Sequence, residues 1–374
     1  CGACVQICPK NCIDFVNDQE GFWYPRINQE KCIGCNLCEN VCPNIKCEEK
    51  KDDILEAYVS YANDDKLRNK SSSGGIFSVL AMQILKRGGI IFGAAFDANM
   101  LVSHIGISSV SELEKLQGSK YLQSRTEMSY FEAERALKAG KWVLYSGTAC
   151  QISGLKKYLR REYTNLVTVD VLCHGVPSPK VWERYLDDQQ KLYNGRIKKV
   201  SLRQKSKGWK AFSTELIFDN EKKYEQVYTK DPYMQLFLKN ICLRPSCYDC
   251  NFKSLNRDSD ITIGDCWGIE KYMPEMDDDR GTSVVLVHSQ QGKSLLQECK
   301  QSLVLRTAEV DRALPPWSDS RKSVPIHRNR DKLFKKLEQG KSTQQLLRLT
   351  EDSILIKVKR KVKGKIKKIL LRTH

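Results

Sequence analysis

The sequence predicts a small α+β module followed by an α/β domain with a largely parallel sheet. Nine of the sixteen cysteines fall within residues 1–47, a density that marks off a module of its own. Beyond a charged stretch at 48–53, segments of helical and strand periodicity alternate, as an α/β domain requires. The chain of 374 residues is 41% hydrophobic with a negative mean hydropathy, and it has no run of 18 apolar residues, which excludes a transmembrane helix. A disulfide scaffold is excluded too, because such scaffolds belong to small secreted chains and no signal-like apolar stretch opens this one. The cysteines therefore read as thiolates for metal in a reducing, cytoplasmic setting. The expected boundaries are 1–50 for the module, 54–135 and 136–320 for the two parts of the body, and 321–374 for a helical basic tail.

In the module, residues 32–43 read CIGCNLCENVCP, with the Cys-x2-Cys-x2-Cys-x3-Cys-Pro spacing of a bacterial ferredoxin half-site. Residues 1–9, CGACVQICP, repeat it with the first cysteine missing. Cys1, Cys4 and Cys8 each precede Cys35, Cys38 and Cys42 by 34 positions, so a further ligand is expected upstream of a truncated N-terminus. Three thiolates on a tight loop grip one cubane, and the fourth, ahead of proline, reaches the other. Cys1, Cys4, Cys42 and the upstream residue are thus expected to hold one 4Fe-4S cluster, and Cys32, Cys35, Cys38 and Cys8 the second. Zinc sites use Cys-x2-Cys knuckles in pairs and fit this spacing less well. IDFV, the turn NDQEG and FWYPRI predict two short strands between the half-sites, completing a ferredoxin-like module. Cys12 and Cys47 fall outside the repeat and read as small apolar fillers or free thiols.

The body begins with KSSSGGIFSVLAMQILKRGG, a Ser/Gly loop feeding a helix that stops at Gly88 and Gly89, and continues with the buried strand IIFGAAF. YFEAERALKAG reads as a helix, KWVLYSG as a strand, QISGLKKYLR as a helix and LVTVDVLC as a strand. Short crossovers of this kind imply parallel pairing. Cys150, in GTAC, follows one strand and Cys173, in LCHG, ends the next, at the edge where open α/β sheets bind ligands. Cys247 and Cys250, in RPSCYDCNF, precede the strand DITIGD. These four thiolates could converge on one metal site. Cys242 and Cys266 read as bystanders, Cys266 as a packing residue beside Trp267, and Cys299 lies in a helical, polar stretch with no metal-like neighbour.

GTACQISGLK, CHGVPSP, RPSCYDCNF and SDITIGDCWGI, behind a two-cluster module and SSSGGIFS, resemble the beta subunit family of coenzyme F-420 hydrogenase and dehydrogenase over about residues 1–290. The resemblance implies a flavoprotein, with FAD in the body and a third 4Fe-4S cluster on Cys150, Cys173, Cys247 and Cys250. It also implies electron relay between a one-electron donor, ferredoxin or another redox protein, and a small-molecule two-electron acceptor or donor such as coenzyme F-420. An electron-transfer subunit with no substrate of its own is the alternative. Two segments are candidates for the flavin. Ser73, Gly74 and Gly75 lie in a loop of small residues at a helix N-terminus, which favours pyrophosphate but equally serves as a plain cap. Gly118, Ser119, Lys120 and Tyr121 supply a cation and an aromatic face, or form a surface turn. Lys120 and His174 are the candidate catalytic residues, although His174 also suits a capping or core position. His104 and His288 read as structural, and Asp265 either faces the site or caps a turn.

The net charge of +17 is concentrated: Lys357 to Arg372 holds nine Lys/Arg and no acid. No base-reading motif accompanies them, so nucleic acid is set aside as a partner. Ile354 or Leu355, Val358, Val362, Ile366 and Ile369 recur at helical steps among the lysines. That pattern fits a peripheral contact with an anionic membrane or an acidic partner, or else a solvated tail.

Overall fold

The cysteine repeat is also a backbone repeat. In the computed structural model, which describes residues 1–45 and 54–351, α1 (Ala3–Ile7) and α2 (Leu37–Asn40) start 34 positions apart. Each follows a residue in the left-handed region, Gly2 at φ 85° and Asn36 at φ 57°. Between them β1 (Ile13–Asn17) and β2 (Trp23–Ile27) pair antiparallel, with Ile13 opposite Ile27. Asp18 shapes their turn by accepting from the N–H groups of Glu20 and Phe22 at 2.9 and 2.8 Å. Cys47 lies outside the described residues.

The body is built on a nine-stranded sheet. Its strands, in chain order, are β3 (Glu56–Ala62), β4 (Ile90–Phe96), β5 (Val102–Ile107), β6 (Ser124–Arg125), β7 (Val143–Thr148) and β8 (Leu166–Val171). After β9 (Ile197–Gln204), β10 (Ser213–Phe218) and β11 (Lys223–Val227), which form a separate antiparallel sheet, come β12 (Ile261–Asp265), β13 (Ser283–Val287) and β14 (Leu303–Thr307). The spatial order is β14-β3-β13-β12-β8-β7-β4-β5-β6, so residues 54–135 and 136–320 share one sheet. Pairing is parallel across the centre, β12-β8-β7-β4, and again at the edge between β5 and β6. The other four pairings are antiparallel, which narrows the predicted parallel character to the core of the sheet. The reason is connection length. β4 and β5 are joined by only residues 97–101, too few for the crossover that parallel strands need.

Alternate strand residues enter opposite cores. Ile91, Leu144, Val167 and Val169 pack with α3 (Asp65–Lys70) nearby and against α4 (Ile76–Lys86) and the helix Gln290–Glu298, through Ile84, Leu85, Leu295 and Leu296. Phe92, Val143, Tyr145 and Leu166 pack on the other side against α5 (Ser129–Lys138) and α6 (Ala149–Leu159). Ala3 and Val41 of the module join this second core, so the module is seated on the body. A third core gathers α7 (Pro179–Tyr193), α8 (Pro232–Leu238) and the small sheet around Trp182, Tyr185 and Tyr233. Of the stretch 321–374, the helices Arg330–Glu338 and Thr343–Leu347 bury Leu333, Phe334, Leu337 and Leu346 in that core. The lysine-rich segment lies beyond residue 351, outside the described residues. No helix of the described residues is long and apolar enough to cross a membrane.

Candidate cluster and cofactor site

The carboxyl edge of the parallel strands opens into a cavity of about 480 Å³. β7 ends at Thr148, and Cys150 sits in the first turn of α6 with its Sγ 3.1 Å from Thr148 Oγ1. Cys173 lies two residues beyond β8. The loop that carries Cys247 and Cys250 is laced to the segment after Cys173: Arg244 N–H donates to Val176 O at 2.8 Å, and Ser178 N–H to Cys242 O at 2.9 Å. Cys250 N–H is held by Ser323 Oγ at 2.9 Å. All four thiols line the same cavity. Burial pushes the thiol of Cys247 up to about 11, and the neighbouring Cys150 and Cys250 add to it. Cys173 rises for the same reasons, burial first and then Cys247 and Cys150. Cys250 is raised by burial as well, so three of these thiols resist ionisation, a penalty that bound cationic iron would remove. Among the described residues no three His, Cys, Asp or Glu side chains are spaced to hold a single metal ion.

The module meets the same cavity, whose wall includes Cys1 and Cys42. Cys1 O accepts from Thr126 Oγ1 at 2.9 Å and from Tyr130 Oη at 2.8 Å, and Tyr130 Oη is also 2.8 Å from Gln151 O, one residue past Cys150. Cys4 is raised by burial and feels Cys42 and Cys38. The loop bearing Cys32 and Cys35 faces outward, with Cys35 exposed. Cys12, read as a filler or free thiol, lies against Cys8. Its Sγ lies 3.3 Å from Cys8 Sγ, and its thiol is raised to about 11 by that contact, by burial and by Cys8 and Cys32. Cys242, Cys266 and Cys299 are buried among apolar side chains, and no disulfide links the described cysteines.

Both candidate flavin segments reach the same cavity. Ser71, Ser72, Ser73 and Gly75 line it ahead of α4, whose N-terminus has no side-chain cap. Gly118, Ser119, Lys120 and Tyr121 line it as well. The segments are joined where Ser119 N–H and Oγ meet Ser72 Oγ at 2.6 and 2.9 Å. Gly74 bonds to the sheet: its N–H donates to Ser283 Oγ and its C=O accepts from Ala62 N–H. Lys120 Nζ donates to Lys115 O and Gln117 O at 3.1 and 2.7 Å, leaving one N–H free, and burial brings its pKa down to about 7. Tyr121 stacks on Phe237 at 4.9 Å.

His174 is on the wall beside Cys173, with Nε2 2.6 Å from Asn240 Oδ1 and Nδ1 3.5 Å from Asp319. Burial holds its pKa below the usual range. His104, read as structural, also faces the cavity, yet Ser124 Oγ and Ser146 O occupy both ring nitrogens. His288 is paired with Thr262. Asp265 borders the cavity and binds Arg203 in a two-pronged pair at 2.9 and 3.1 Å, while Arg203 donates onward to Tyr121 Oη and Ser72 O, both at 3.0 Å. Arg203 has no local motif. Only the return of β9 beneath both segments reveals it.

Residues 140–313 match the family model for the carboxyl-terminal part of the coenzyme F420 hydrogenase/dehydrogenase beta subunit, and residues 1–44 match the 4Fe-4S dicluster domain. Over residues 140–313 the body is thus similar to that beta-subunit family. The chain therefore joins a 4Fe-4S module at its N-terminal end to a body similar to a hydrogenase/dehydrogenase family of oxidoreductases. A similar chain occurs in the solved F420-reducing [NiFe] hydrogenase complex from Methanosarcina barkeri, a xenon-derivatized structure. It is 16% identical, with a TM-score of 0.48, covering 81% of this chain and 92% of that one. A comparison with curated proteins finds no match.

Proposed function

We propose that the chain is an iron–sulfur flavoprotein that moves electrons between a one-electron redox protein and a two-electron small molecule. One observation carries the reading: a single cavity is lined by Cys150, Cys173, Cys247 and Cys250, by Cys1 and Cys42 of the module, and by Ser71–Ser73, Gly75 and Gly118–Tyr121. The four cysteines would hold a third 4Fe-4S cluster. Lys120, with one donor free, and the uncapped N-terminus of α4 would hold the anionic parts of FAD. FAD, when bound, supplies the exchange between one-electron and two-electron chemistry. Arg203, fixed by Asp265, keeps Tyr121 and Ser72 in position. The outward Cys32–Cys35 loop gives the one-electron partner its approach, and coenzyme F-420 is the first small molecule to try.

Anaerobic reconstitution of the full-length protein should give about twelve irons, as three cubanes of four, and about eight in Cys247→Ser. Acid extraction should release FAD. About eight irons in both proteins, or FMN or no flavin in the extract, would overturn the reading. Carrier oxidation seen only with a second subunit would replace it by a pure electron-transfer role.

A further inference from the structure

Lys253 follows Cys250 by three positions. Its Nζ donates to His174 O at 2.8 Å, Asp319 O at 2.6 Å and Lys322 O at 3.3 Å. An ammonium has three N–H groups, so these carbonyls occupy all of them and fix the head in place. The first belongs to the residue directly after Cys173, which puts the charge beside the four-cysteine group.

Two other cations lie near enough to act on Cys250 and Cys247. Arg257 pairs with Asp170 at 3.0 Å, and the Arg244 guanidinium lies 4.2 Å over the Tyr24 ring. Lys253 forms no ion pair with a carboxylate among the described residues. The Asp319 carboxylate points to His174 Nδ1 and is mostly exposed, at 61%. Burial lowers the Lys253 pKa, so the fold works against its own charge there, while Cys173, then Asp319, Cys250 and Cys247 favour it. A half-buried ammonium solvated only by carbonyls is costly unless an anion lies close by. Four thiolates on a cluster are such an anion.

We propose that Lys253 is a positioning charge that sets the reduction potential of the cluster held by Cys150, Cys173, Cys247 and Cys250. This rests on the ligand reading proposed above. Reduction adds one electron to that cluster and removes one from the module's clusters, with no bond broken and no proton moved. A fixed cation favours the more negative, reduced form and raises the potential.

The test is a redox titration of the reconstituted full-length protein, followed by electron paramagnetic resonance with dithionite as reductant. Lys253→Gln should keep the internal signal and lower its potential, whereas Lys253→Arg should stay nearer the original value. Asp319→Asn, which removes the exposed carboxylate and leaves the ammonium in place, should shift it upward. The module's clusters should not move in any of the three. An unmoved potential in Lys253→Gln, or loss of the internal cluster there, overturns the inference. If the unmodified protein shows only the module's clusters and Cys247→Ser leaves its iron content unchanged, the ligand reading itself has failed.

Discussion

Lys120 has its pKa brought down to about 7 by burial, so within the fold its charge is present below that pH and lost above it. Flavin retention should therefore weaken as pH rises through about 7. In Lys120→Met the dependence should vanish, with affinity lower by about 10–100-fold, the value of one charge-assisted hydrogen bond. Equilibrium dialysis of FAD at pH 6 and pH 8.5 checks this, and an unchanged slope in the variant sinks it. Lys120 and Tyr121 were legible in the sequence because a cation and a ring stand side by side in a glycine-led turn. Arg203 was not. Its partners Ser72, Tyr121 and Asp265 are 131, 82 and 62 residues away, and no local pattern spans such distances. That Gly74 lacks a side chain is legible, but which way its backbone groups point is not.

In α6, Gly154 sits in mid-helix, where glycine costs about 1 kcal/mol relative to alanine. The reason lies outside the helix. A Cβ at Gly154 would come within 2.8 Å of Cys1 Cβ and 2.9 Å of its Sγ, so the missing side chain is what lets the module's first cysteine loop lie against the body. Gly154→Val should lower stability by about 1–3 kcal/mol as an overpacked contact. Amide exchange in residues 1–7 should accelerate while that of β7 and β8 stays slow, measured by mass spectrometry; uniform protection would refute it. The central β-α-β run was readable because its periods switch cleanly between two and 3.6 and its loops are short. The antiparallel flanks and the β9–β11 sheet were not. Which strand lies beside β3 is decided by residues more than 220 positions away.

Across the whole molecule, the module is held at a second point. Arg330, from the C-terminal helices, makes a two-pronged pair with Glu20 in the β1–β2 turn and donates to Leu243 O. Ser178 Oγ donates to Glu20 O at 2.5 Å, and Phe22 is buried in the core with Trp182. Arg330→Met strands a partly buried carboxylate and should cost about 1–3 kcal/mol, between the surface and buried limits for an ion pair. A Glu20→Gln, Arg330→Met double variant should recover part of that loss in urea titrations; strictly additive losses would argue against the pairing.

The strand order has a consequence for biosynthesis. β3 is finished at residue 62, but its two neighbours, β13 and β14, begin at residues 283 and 303. At ribosomal rates of about 5–20 residues per second, β3 waits roughly 10–50 s with both edges bare. The module has its hairpin by residue 27 and its last repeat cysteine at 42, so it can take up iron while the body is still being translated. Its contact with α6 at Gly154 can form only after more than 100 further residues have been added. Iron uptake by the module and closure of the sheet around β3 are thereby two separate events, the first more than 200 codons ahead of the second.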